Sequence, residues 1–387
     1  MPFENITGRI IEDHQKLSFD YVPKELPNRD EQIKRLFTLF RGVVESNVSQ
    51  NVFLQGNVGT GKTATAKRFC IDFKGWAAEK DKSVDYAFVN CRKRNNNSSA
   101  VLKIVKKFDK GFPDRGFSVG EMMEILRKHI KQEKTHLIVV LDEVDHLIKK
   151  EGSELIYLLS RFDDEELTPQ CNVSLFLISQ KNALELMEEG ALSTFKRSNR
   201  IRFPSYSADE LYDILGARAR MALYPDALHD EELRLISEIA GKRGDARFGI
   251  ELMEKSGLLA EEKGRDSISA EDIRTAKAEV DPFLTENKLR DLNEQERVIL
   301  LAATQKLRDE SFTTTGDLEE HYKLITETHG MKTLGHTQFW KYLKSLSDRG
   351  LLDTKTVSTG KGRTTKVTVS DIPVEVLEKK LTRLIEG

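Results

Sequence analysis

Two regimes of hydrophobic and polar patterning divide the chain. Between residues 51 and 203, short continuous apolar runs alternate with stretches whose apolar residues recur three and four apart. The runs predict strands at Val52–Leu54, Asp85–Cys91, Leu137–Leu141, Val173–Ser179 and Ile201–Phe203. The stretches between them predict helices. One runs from about Glu31 to Val44, capped by Asn28 or Asp30, with Ile33, Leu36, Phe37 and Phe40 on one face. Another carries Val101, Leu102, Ile104, Val105 and Phe108, and Ser118 with Glu121 forms a capping box that opens a helix to about Lys131. Strands alternating with helices imply an α/β fold: a doubly wound parallel sheet with a ligand site beyond the carboxyl ends of its strands. Leu137–Leu141 is apolar without interruption, as a parallel strand covered on both faces must be.

After Pro204 only helical periodicity remains. Ser207 with Glu210 opens one helix, and Asp230–Ala240 makes a second. A third follows Gly244-Asp245-Ala246-Arg247, and a fourth runs from Ser269 to Val280. A linker at 281–292 leads to three more helices, beginning near Asn293, Asp317 and His336. The last buries Phe339, Leu343 and Leu346 and turns Gln338, Lys341, Tyr342 and Ser345 outward. Two β-branched segments, Thr354–Ser358 and Thr364–Val369, flank Gly360-Lys361-Gly362-Arg363. Three helices and a hairpin with a glycine-basic tip describe a winged helix. The organisation predicted is a base domain over 1–203, a helical lid over 204–283 and a winged-helix domain over 284–387.

Composition narrows the class only slightly. The chain has 387 residues, 39% hydrophobic and 32% charged, with a formal charge of −2. Its overall charge does not announce a nucleic-acid binder, so any such activity must reside in a local patch. Lys332–Lys366 is such a patch: eight cations against two anions, a local charge of +6. Gln338, Lys341, Lys344, Lys361, Gly362 and Arg363 are its candidate DNA contacts, the third helix entering the major groove and the wing reaching phosphates or a minor groove. Winged helices also dock proteins. Cys70, Cys91 and Cys171 lie far apart without metal spacing and read as buried thiols in a reducing compartment. The first residues lack a signal-peptide core, and the longest aliphatic run is far too short for a bilayer. A cytoplasmic, nucleoid-associated protein is expected.

The candidate chemistry lies in the strand-to-loop junctions. Gly56, Gly61, Lys62 and Thr63 have the G-x-x-x-x-G-K-[ST] spacing of a phosphate loop, between a strand and a helix. Glycines admit the close approach of backbone N–H groups to phosphate, and the helix opening near Lys62 adds its dipole. Lys62 is expected on the β- and γ-phosphates and Thr63 on Mg²⁺. Asp142 and Glu143 end the apolar strand at 137–141. Asp142 is the second candidate Mg²⁺ ligand, and Glu143 is placed to orient or deprotonate water. Asp145 reads as a cap of the next helix. Gln180 at the tip of the following strand is a candidate γ-phosphate sensor, and Arg247 at a helix start can reach phosphate or pair with an acidic neighbour. Val22 and Arg29 of the N-terminal arm, the loop residues Asn57, Val58, Gly59, Thr60, Gly61, Lys62, Thr63 and Ala64, and Tyr212 complete the candidate ATP/ADP contacts. A packed arm without ligand contact is the other reading of residues 1–28. The basic run Arg92-Lys93-Arg94 touches DNA or is a solvated loop.

Taken together, Tyr21-Val22-Pro23, Asn28-Arg29, the phosphate loop, Leu141-Asp142-Glu143, Phe203-Pro204-Ser205-Tyr206, Gly244-Asp245-Ala246-Arg247 and the winged helix resemble the archaeal replication initiators of the AAA+ class. That family is related to origin-recognition subunits and to the cell-division-control helicase loader. The resemblance implies slow, regulatory ATP hydrolysis, origin duplex binding, and recruitment of the minichromosome-maintenance helicase, with paralogous initiators as further partners. It also implies an inserted DNA-contacting element within 92–116 and a nucleotide-sensing role for Arg247. Two positions depart from the pattern: Gln180 replaces an Asn, and residues 189–195 lack the family's arginine finger, leaving Lys196, Arg197 or Arg200 as substitutes. A nucleotide-switched winged-helix regulator without an origin role is the alternative function.

Overall fold

The computed structural model describes residues 8–162, 172–180, 183–193, 199–280, 289, 292–308, 310, 312–359, 362–369 and 374–386. The chain forms two compact units. One contains residues 20–210 and 243–246, and the other residues 1–19, 211–242 and 247–387.

The first unit is built on five parallel strands: β1 (Asn51–Gly56), β2 (Val84–Asn90), β3 (His136–Asp142), β4 (Asn172–Ser179) and β5 (Arg200–Phe203). Their order is β2-β3-β4-β1-β5. The register sets Asp142 beside Asn90 and Ile178, and Gln55 beside Ser179, so the strand tips share one end of the sheet. β3 explains its own sequence. Leu137, Val139 and Leu141 enter one apolar core with the helices α4 (Asn97–Phe108) and α5 (Val119–Glu133). Ile138 and Val140 enter another with α2 (Asp30–Ser46) and α3 (Lys62–Ala78). In that second core Phe40, Phe69, Phe73 and Phe176 pack ring against ring, with centroids 4.8–6.1 Å apart.

The local signals were followed with some corrections. The Ser118–Glu121 capping box forms. α2 starts without a side-chain cap: Arg29 occupies the N-cap position, while Asn28 takes a left-handed φ of 63° and donates its amide to Glu210 O. Asp145 is not a cap either. It lies buried in α6 (Val144–Glu151) and accepts the Ser179 hydroxyl at 2.8 Å, tying the end of β4 to the segment after β3.

The second unit comprises the lid helices α9 (Ala208–Ala222, from residue 211), α10 (Asp230–Gly241), α11 (Ala246–Glu262, from residue 247) and α12 (Ala270–Val280), together with the winged helix. Residues 8–19 belong to it: Ile10 and Ile11 N–H both donate to Glu261, and Ile11 bridges Leu223. The winged helix contains the helices Glu294–Lys306, Thr315–Thr328 and His336–Asp348, and a sheet of β6 (Thr313–Thr314), β7 (Asp353–Thr359) and β8 (Gly362–Thr368) in the order β6-β8-β7. The sequence reading missed two pieces: the two-residue strand β6 (Thr313–Thr314) and a closing helix, Val374–Glu386, whose Val374, Leu377 and Leu381 complete the core.

Lid and winged helix are joined by a buried cation. Arg274 of α12, 1% exposed, donates to Val369 O (3.2 Å), Leu307 O (2.9 Å) and Glu310 O (3.3 Å). At the surface Lys242 pairs with Asp353, and Lys355 with Glu238 at 2.9 Å. Among the described residues, no helix is long and apolar enough to cross a membrane.

Candidate nucleotide site and candidate nucleic-acid interface

The phosphate loop connects β1 to α3, with Gly61 at the N-cap of α3 in left-handed geometry, φ 83°. A Cβ on Gly61 would strike the Tyr206 hydroxyl, and one on Gly59 (φ 71°) would overlap the Asp245 carboxylate. Lys62 is 8% exposed and donates its ammonium to Gly56 O (2.8 Å) and Asn57 O (2.6 Å). Thr63 Oγ1 donates to Asp142 Oδ2 at 2.8 Å across the gap between strands. Burial pushes the Asp142 carboxyl above the usual carboxylate range, against the pull of the Thr63 hydrogen bond. A half-buried carboxylate beside a hydroxyl, under-compensated by cations, is a donor set that fits a hard divalent ion completed by phosphate oxygens and water.

Glu143 follows in left-handed geometry, φ 53°. Its carboxylate accepts from Asn90 Nδ2 at 3.3 Å, with Arg92 at 3.9 Å and His146 at 3.7 Å. Asn90 was not singled out by the sequence reading, although a polar residue ending β2 beside Asp142 was the available signal. Gln180 is exposed at the end of β4, on the same edge of the sheet. Val22 is half-buried in the arm, and Val58 is exposed at the loop tip. Asn57 donates to the Ser205 hydroxyl, and Thr60 is fully buried. Ala64 is half-buried in the first turn of α3. Arg29 is buried, with donors directed at Thr60 O and Pro204 O.

The structure thus brings the loop, Asp142, Glu143 and Arg29 together in one unit. Tyr212 and Arg247 belong to the other. There Tyr212 donates its hydroxyl to Asp230 beneath the Arg234 guanidinium, and Arg247 is exposed in the first turn of α11. Of the arginine-finger substitutes, Lys196 and Arg197 lie outside the described residues, and Arg200 donates to Gln55 of the neighbouring strand.

On the winged helix, Gln338, Lys341 and Lys344 are all exposed along His336–Asp348, next to Trp340 at 37% exposure. Ser345 is turned inward instead, donating to Glu296 at 2.7 Å. Lys361 lies outside the described residues, and Gly362 and Arg363 open β8. Lys355 is engaged by the lid's Glu238, and Lys366 lies 3.5 Å over the Phe312 ring, so the +6 patch is not all free cation.

Comparison with known proteins completes the description. Residues 47–187 match the AAA domain, 212–278 the Cdc6 AAA+ ATPase-type lid domain, and 287–379 the CDC6 C-terminal winged helix domain. The ORC1-type DNA replication protein 2 of Sulfurisphaera tokodaii is 30% identical over 380 residues, covering 94% of this chain and 90% of that one. The chain belongs to the ORC1/Cdc6 family of archaeal replication initiators. Among solved ORC1/Cdc6 structures, Cdc6p of Pyrobaculum aerophilum superposes with a TM-score of 0.85 at 26% identity, covering 97% of this chain and 99% of that one. The Aeropyrum pernix ORC1 protein, solved in complex with DNA, gives 0.65 at 28% identity, with 98% and 100% covered. The AAA+ class places an ATPase-type domain here, and ORC1/Cdc6 membership accounts for the lid and wing that follow it.

Proposed function

We propose that this chain is an ATP-switched replication initiator that binds origin duplex through its winged helix and recruits the minichromosome-maintenance helicase, working beside paralogous initiators. The observation that carries this reading is the exposed row Gln338, Lys341 and Lys344 in an ORC1/Cdc6 chain that also has a formed phosphate loop. The A. pernix relative, solved with DNA, supports it.

Lys62 would exchange its two loop carbonyls for the β- and γ-phosphates, while the Thr60, Gly61 and Lys62 N–H groups would bind phosphate oxygens. Thr63 and Asp142 would hold Mg²⁺, which when bound neutralises charge on the phosphates. Glu143, oriented by Asn90, accepts the proton of the attacking water at its carboxylate. The proposed turnover is slow: a trans arginine contributes about 10³–10⁵ in rate to such enzymes, and Arg200, the substitute described, is engaged with Gln55. Footprinting on the chain's own genome tests the proposal. Protection at origin repeats is expected, and protection confined to promoters would replace this reading with the regulatory one.

A further inference from the structure

Arg29 lies beneath the phosphate loop, in the same unit as the loop, at 2% exposure. Its Nε and Nη2 both donate to Thr60 O, at 3.1 and 3.0 Å. Nη2 also reaches Pro204 O at 3.3 Å, and Nη1 reaches Asn28 O at 2.7 Å. Its guanidinium carbon sits 3.7 Å from the centre of the Tyr206 ring. Burial lowers the Arg29 pKa and pushes that of Tyr206 up to about 12. One residue earlier in the loop, Gly59 O accepts the Ala246 N–H at 3.1 Å. Tyr206 N–H in turn donates to Gly244 O at 3.2 Å, so the 204–206 and 244–246 segments brace each other as well as the loop.

These bonds fix two successive peptide planes. A trans peptide is flat, with its N–H opposite its C=O. Pinning Gly59 O turns the Thr60 N–H to the other side, and pinning Thr60 O does the same for the Gly61 N–H. Donors arriving from the arm and from the start of α11 hold both carbonyls on the protein side, leaving two N–H groups for an anion. We infer that Arg29 is a positioning residue: with the Ala246 N–H it holds the loop in the conformation that receives phosphate, without itself touching nucleotide.

The inference rests on the proposal that the loop binds ADP and ATP, and the test separates the two. Full-length protein is titrated with a fluorescent N-methylanthraniloyl ADP. Arg29→Ala is expected to weaken binding about 30-fold, the loss of hydrogen bonds from a charged donor. Millimolar guanidinium ion should restore part of that affinity and methylammonium should not, a response that a merely structural role would not give. Ala246→Pro replaces the donated N–H with a ring methylene at the first position of a helix, where proline is tolerated. It should weaken binding about tenfold while leaving the melting temperature of the nucleotide-free protein unchanged. If Arg29→Ala does not fold, Arg29→Lys and Ala246→Pro decide the matter. ADP affinity within twofold of wild type in these variants, with binding abolished in Lys62→Ala, overturns the positioning role. Undiminished binding in Lys62→Ala overturns the nucleotide reading itself.

Discussion

His136 is a charge the protein never lets form. It lies buried at the start of β3, its Nε2 2.7 Å from the Ser174 hydroxyl, which also accepts the Gln50 N–H; its Nδ1 meets no hydrogen-bond partner among the described residues. Burial drives its pKa from the ordinary 6.5 down to about 3. Between those values the unfolded chain takes up a proton that the folded one refuses, so stability is full above pH 6.5 and falls as the pH drops toward 3. The slope is about 1.4 kcal/mol per pH unit within that window. Urea midpoints measured at intervals from pH 7 to pH 4 should show it, and His136→Gln should flatten the curve by about one proton. At the site, Glu143→Gln is expected to leave ATP bound while hydrolysis falls at least about a hundredfold, since the carboxylate proposed to take the water's proton is gone. Filter-retained ATP and released phosphate, measured together, distinguish this from a binding defect.

At the scale of elements, the phosphate loop depends on what packs against it. Gly59→Ala must adopt a left-handed φ and also displace Asp245. ADP affinity should fall at least about tenfold, and adding Asp245→Ala should recover only part, because the backbone cost of about 1–2 kcal/mol remains; calorimetric titration of both variants checks this. The elements themselves were legible because their signals are local. Leu137–Leu141 announces a strand covered on both faces, Ser118 with Glu121 announces a helix start, and the loop's glycines announce a tight approach. What surrounds the loop was not legible. Nothing near Arg29 in the sequence points to Thr60, thirty-one positions on, or to the Tyr206 ring. Asp145 looked like a cap because Ser179 is distant in sequence and adjacent only in the sheet. β6 is too short for any periodicity. The closing helix Val374–Glu386 does carry a readable apolar spacing in Val374, Leu377 and Leu381.

For the molecule as a whole, the lid and the wing form one body, and Arg274 is central to that union. Arg274→Met removes a donor from three carbonyls, those of Val369 and Leu307 in buried hydrogen bonds, and should cost about 3 kcal/mol. Scanning calorimetry should show the shared transition of lid and winged helix divide in two. The proposed duplex affinity is a separate matter, resting on exposed cations. Lys341→Gln with Lys344→Gln should make the dependence of log K on log salt shallower by about 1.8, two phosphate contacts at about 0.9 each; anisotropy titrations between about 50 and 200 mM salt measure it. Arg274 grips neutral carbonyls and not the carboxylates of the winged helix, so dissolved ions can screen the two surface pairs, Lys242 with Asp353 and Lys355 with Glu238, but not this buried grip. Brine strong enough to lift this protein from a duplex should therefore release it with its lid and wing still clasped, and a fall in retention on a heparin column would report the outer face alone.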